Sequence, residues 1–121
     1  MGLQVKLHSV YLVSPSPDSL GAFYERFLEQ APQFSVPGTW TQFKGGEGGA
    51  ALAIASTAEA APGAVGAVPV FEVSDIEATI GKAVSLGATL INQRDMGSHG
   101  RTASFRDPGG NVVQLLQKAA R

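Results

Sequence analysis

The sequence contains no cysteine, which excludes a disulfide framework, a thiolate-held metal and a cysteine nucleophile. It also lacks a basic block. Nine Lys and Arg face ten Asp and Glu, the formal net charge is −1, and the two signs are mixed along the chain. Nothing of that kind neutralises a row of phosphates, so no nucleic-acid partner is expected. No apolar run approaches the roughly 20 residues that cross a bilayer. The opening Met1-Gly2-Leu3-Gln4-Val5-Lys6 lacks the basic-then-apolar layout of a secretory leader. These absences predict a cytoplasmic domain with no membrane partner. Charged residues are also few: 16% against 44% hydrophobic, a balance that excludes disorder driven by charge. At 121 residues the chain is long enough for one domain with a buried core.

What is present is a repeated order of elements. Residues 4–13 read as a strand rich in Val, Leu and Tyr. Ser16-Pro17-Asp18 signals a helix start, with Ser16 as cap, Pro17 in the first turn and Asp18 at the positive end of the dipole. Leu20, Phe23, Tyr24, Phe27 and Leu28 follow as one apolar stripe at helical spacing. Short strands are expected at 33–36, 39–44 and 50–55, divided by Pro37-Gly38 and by the glycine-rich run 45–49. Residues 57–66 have linker composition.

The order then recurs. Residues 67–73 read as a strand. Ser74-Asp75-Ile76-Glu77 has the form of a capping box in which Ser74 meets the amide of Glu77. Ile76, Ile80, Ala83 and Val84 share a helical face, and Gly87 suits the left-handed turn that ends it. Strands are expected at 89–95, 101–106 and 111–117, with turns at 97–100 and 107–110. Two βαβββ modules result, residues 1–56 and 67–121, within one domain spanning 1–121. The fold class is α+β, with curved mixed sheets expected to surround a ligand cleft.

The motifs within that order resemble the vicinal-oxygen-chelate superfamily, the group of glyoxalases, bleomycin-resistance proteins and extradiol dioxygenases. "LHSVYLV" with "LGAFYERFL" resembles the opening strand and helix of the first module. "VFEVSDIEATIGKAVSLGA" resembles the corresponding part of the second, and "GRTASFRDPGGNVVQLLQ" the closing hairpin. The resemblance covers nearly the whole chain. It implies a homodimer, and in metal-dependent members a set of His, Glu or Gln ligands from four strands. Carried over, those positions fall on His8, Val68, Ala53 and Gln114. One imidazole and one amide fall short of the three protein ligands of a catalytic zinc site or the two-His-one-carboxylate iron triad. No metal and no cofactor are therefore expected.

Strand alternation then groups the side chains. Counted from His8, Lys6, Val10 and Leu12 are expected in the cleft, and Leu7, Tyr11 and Val13 against the helices. Thr102, Ser104 and Arg106 are expected to face inward with Val112, Gln114 and Leu116, and Trp40 and Gln42 to share a face opposite Phe43. The expected ligand-binding residues are His8, Trp40, Gln42, Thr102, Ser104 and Gln114. Such a wall suits a flat, partly polar small organic molecule. The sequence thus predicts a metal-independent binder of a drug or metabolite, of the bleomycin-resistance type. The alternative is a metal-dependent lyase, epimerase or dioxygenase with an atypical ligand set drawn from His8, Glu72, Asp95, His99 and Gln114.

Overall fold

A computed structural model describes residues 4–45, 49–108 and 110–120. The expected turns at 45–49 and 107–110 fall partly outside those residues. The elements run β1 (Val5–Ser14), α1 (Pro17–Leu28), β2 (Phe34–Val36), β3 (Trp40–Phe43), β4 (Ala51–Ser56), β5 (Ala67–Val73), α2 (Ile76–Ser85), β6 (Thr89–Asp95), a 3-10 turn (Gly97–His99), β7 (Arg101–Arg106) and β8 (Val112–Gln117). This is the α+β succession expected from the sequence, strand–helix–three strands written twice. No described helix is long and apolar enough to cross a membrane.

The chain forms two compact units. The N-terminal unit comprises Ser9–Ala60 and Ala64–Val68, and the C-terminal unit Met1–His8, Ala61–Gly63 and Pro69–Arg121. In the N-terminal unit the strands lie in the order β2-β3-β4-β1. β1 and β4 are parallel, while β2, β3 and β4 pair antiparallel. The register sets Tyr11 opposite Ala53 and Ala53 opposite Gln42. Residues opposite one another share a face, so Tyr11, Ala53, Ala55, Trp40 and Gln42 stand on one side. Leu12, Ile54, Thr41 and Phe43 stand on the other, and α1 covers that side. Its Gly21 lies so close to Thr41 that an added Cβ would sit 3.4 Å from the threonine hydroxyl. Phe43 and Ile54 are fully buried beneath the helix.

Two expectations fail in this unit. Tyr11 does not meet the helix. It faces away from α1 and packs on Trp40 with ring centroids 5.5 Å apart, while Val10 and Leu12 turn to the helix side. Alternation counted from His8 does not hold through the β1–β4 register. The α1 stripe also does not face the sheet as a whole. Pro17 and Gly21 are the buried residues of α1, and Phe23 and Phe27, stacked on each other at 5.9 Å, are 56% and 70% exposed. A helix seated through a glycine approaches the sheet closely and leaves its aromatic flank outside. Ser16 occupies the N-cap position without a side-chain cap bond. Asp18 instead accepts both contacts of the Gly38 amide, at 2.9 and 3.1 Å, which ties the β2–β3 turn to the helix start.

In the C-terminal unit the order is β5-β8-β7-β6, with β5 parallel to β8 and the rest antiparallel. Val73, Ile76, Ala103 and Leu115 form its core, with Phe71, Ile80 and Phe105 packed around them. That cluster fixes the α2 side of the sheet. α2 is capped one residue later than expected, by Asp75, whose carboxylate accepts from the Ala78 amide at 3.1 Å. Ser74 is drawn into the strand, where its amide donates to the Gln4 carbonyl. The helix ends as expected on Gly87, at φ 106°. Asp75→Ala should cost about 1 kcal/mol, and Ser74→Ala much less. Chemical denaturation of the two variants tests which residue is the cap.

Candidate functional site

With α2 on one face of the C-terminal sheet, the opposite face is identified by register. One row across it is Val70, Gln114, Ser104 and Asn92, and the next is Glu72, Leu116, Thr102 and Arg94. Thr102, Ser104 and Gln114 therefore share this face, open only in that α2 lies on the other side, with Thr102 and Ser104 buried and Gln114 half-buried, while Ala103 and Phe105 enter the core. The N-terminal unit repeats this register. Tyr11–Ala53–Gln42 is its counterpart of Val70–Gln114–Ser104. Two residues before Val70 comes Val68, and two before Tyr11 comes Ser9. The repeat thus matches Val68 with Ser9, and His8 lies one residue further back.

His8 belongs to the C-terminal unit and is half-buried. Its surroundings are charged. Desolvation lowers its pKa from the ordinary 6.5, the Glu72 carboxylate opposes that, and Lys118 and Lys6 add to the lowering. Glu72 pairs with Lys118 at 3.5 Å. A histidine whose folded pKa is depressed binds fewer protons folded than unfolded in the acidic range. Its contribution to stability is complete above the unfolded pKa and is lost as pH falls through the folded one. Stability should therefore decline on acidification from about pH 6.5 downward, and less steeply in His8→Gln. Denaturation midpoints across pH 5–8 check the sign.

Ser104 carries the most telling local feature. It is 1% exposed, and its hydroxyl has no hydrogen-bond partner among the described residues. A buried hydroxyl left without a partner is unfavourable by about 1–3 kcal/mol, so the fold tolerates a cost at the centre of the open face. Nothing in the sequence distinguishes this serine from a satisfied one. Trp40 and Gln42 belong to the other unit. There the indole N–H donates to Gln42 Oε1 at 3.2 Å, and the Gln42 amide donates in turn to Gln33 Oε1 at 3.3 Å. Trp40 is half-buried against Tyr11, presenting an aromatic surface held in one orientation.

The remaining candidates disperse. Asp95 lies opposite Arg101, on the α2 side, and accepts from the Gly97 amide at 2.9 Å. Arg101 pairs with Glu77 of α2, so it is a sheet-to-helix tie. His99 is an exposed residue of the 3-10 turn. Arg106 donates to the Gly110 carbonyl at 3.2 Å.

The metal positions that the resemblance implies do not fit a divalent ion. Val68 and Ala53 offer no donor atom, and Gln114 offers a neutral amide. Among the described residues no group of three or more His, Cys, Asp or Glu comes together in a way that would hold a metal. Catalytic zinc sites use three such protein ligands.

Comparison with known proteins agrees with this architecture. No curated protein matches the sequence. Solved structures do, at low identity. A structure described as NAD-dependent benzaldehyde dehydrogenase from Legionella pneumophila is 21% identical with a TM-score of 0.76, covering 91% of this chain and 97% of that one. Methylmalonyl-CoA epimerase from Mycobacterium tuberculosis is 17% identical with a TM-score of 0.70, over 94% and 88%. A glyoxalase/bleomycin resistance protein/dioxygenase superfamily member from Vibrio splendidus 12B01 is 15% identical with a TM-score of 0.64, over 97% and 100%. These similarities concern the fold. The glyoxalase-like domain model matches residues 9–116. The chain is a member of the glyoxalase-like domain family, with the vicinal-oxygen-chelate fold.

Proposed function

We propose that this protein is a metal-independent binder of a small organic molecule, similar in kind to bleomycin-resistance proteins. The observation that carries the reading is the donor set. Where metal-dependent relatives need coordinating side chains, this chain has Val68 and Ala53, and its open C-terminal face is made instead of an apolar floor, hydroxyls and an amide. Val70 and Leu116 supply apolar contact, and Thr102, Ser104 and Gln114 supply hydrogen bonds. His8, next to this face in charge if not in register, supplies a neutral imidazole as its pKa is lowered. On the N-terminal unit the same reading assigns stacking to Trp40, with Gln42 fixing the indole. The binder is proposed to act as a homodimer, by the family resemblance, in the cytoplasm, whose reducing conditions suit a chain without cysteine.

Equilibrium dialysis of metal-free protein against a panel of aromatic antibiotics and metabolites tests the proposal. Retention of a panel member, unchanged by chelator, is the expected result. Binding or turnover that appears only after a divalent metal is added would replace this reading with that of a metal-dependent lyase, epimerase or dioxygenase.

A further inference from the structure

Charge is not spread evenly over the C-terminal unit, and its distribution narrows the ligand. The chain has nine Lys and Arg and ten Asp and Glu. By register Arg94, Arg106 and Lys118 fall on this face or at its rim, against the Glu72 carboxylate. The acidic side chains Asp75, Glu77 and Asp95 lie on α2, at its cap or on the α2 side of the sheet. Arg106 is engaged by the Gly110 carbonyl, and Glu72 by Lys118. That leaves Arg94 as surplus positive charge beside the row that holds Ser104, with Lys118, 64% exposed, able to serve Glu72 and a ligand anion together. The field at His8 has the same sign balance, with two lysines opposing protonation and one glutamate favouring it.

We infer that the face of the C-terminal unit opposite α2 takes a flat organic acid, with its anionic group toward Arg94 and Lys118 and an acceptor atom on Ser104 and Gln114. The inference rests on the small-molecule-binding reading and adds the ligand's charge. Ser104 is the independent pointer to a ligand, because its buried hydroxyl lies at the centre of the face without a partner. Gln114 stands directly opposite it across β7–β8, half-buried and able to swing, with amide hydrogens to donate. An acceptor placed between the two would satisfy the serine hydroxyl. Val70 and Leu116, beside them, offer apolar contact to a ring. A cationic drug would meet surplus positive charge on this face, and like charges disfavour association.

The test uses the full isotope-labelled chain and three probes of one shape: 2-naphthoate, 2-naphthamide and 2-naphthylmethylamine. Backbone amide shifts of Val70, Thr102, Ser104 and Gln114 report occupancy of the face. Naphthoate should shift these amides and bind at least about five-fold more tightly than naphthamide, the scale expected of a few exposed charge pairs. The amine should bind least. Added salt, or the exposed double change Arg94→Gln with Lys118→Gln, should bring naphthoate and naphthamide to near-equal affinity. Equal binding of acid and amide on these same amides overturns the assigned charge but leaves the binding face standing. Shifts confined to other residues, or none with any probe, overturn both the charge and the face.

Discussion

Gly100→Ala should destabilise the C-terminal unit by roughly 3–5 kcal/mol, since it combines backbone strain with a steric overlap. Gly100 has φ 93° and ψ −162°, a region open almost only to glycine. A Cβ there would also lie 2.3 Å from the Gln117 carbonyl oxygen and 3.1 Å from Lys118 Cα. Those are backbone atoms of β8 and the residue after it, and they cannot move without breaking the β7–β8 ladder. Arg101 pairs with Gln117 in that ladder, so the damage starts at the end of the sheet that carries Lys118. Gly38→Ala provides the contrast. Its φ is 73°, yet no described residue lies within 4 Å of the added Cβ, so only the left-handed backbone cost of about 1 kcal/mol applies. Denaturation of both variants separates close approach from strain. Equal losses would mean that the backbones do not meet as described.

Ser104→Ala should change stability in the opposite direction from most buried substitutions. A serine whose hydroxyl is satisfied loses stability when it is removed. Here the hydroxyl is buried and unpartnered, so its removal should stabilise the protein by about 1–3 kcal/mol. The methyl side chain fits the same space and adds no volume. The same variant should bind an organic ligand several-fold more weakly, since one hydrogen bond of about 0.5–1.5 kcal/mol is lost. Stability and affinity would then move apart at a single residue, the behaviour expected of a group kept for ligand contact. Thermal unfolding and ligand titration of the one variant measure both. A Ser104→Ala protein that is less stable than the parent would show the hydroxyl to be satisfied and remove the case for its role.

The sequence was most informative where local rules decide. β5, β6 and β7 match their expected bounds of 67–73, 89–95 and 101–106, because each is a short alternating run closed by turn residues. In the second module alternation also sorted the side chains correctly. Ala103 and Phe105 go to the core, and Thr102, Ser104 and Gln114 to the open face. The first module was less legible for a physical reason. Which face Tyr11 takes depends on its pairing with Ala53, some forty positions away in the chain, and no local pattern encodes that register. The α1 stripe shows a second limit. Periodicity identifies an apolar face but not whether a glycine will bring the helix in on its neighbouring side, as Gly21 does against Thr41. At the second helix the choice between Ser74 and Asp75 as cap turned on a strand bond from Ser74 to Gln4, again a contact distant in sequence. Ser104 is the extreme case, since an unmet hydrogen bond is a property of the assembled fold.

The proposed binding face needs no ion. Purified protein should be dialysed separately against zinc, nickel, manganese and ferrous iron, freed of excess, and analysed for metal by elemental mass spectrometry. Retention below about one ion per ten chains is expected, because so few donors cannot hold a divalent cation through dialysis. Near-stoichiometric retention of any of the four, lost on replacing His8 or Gln114, would contradict metal-independent binding.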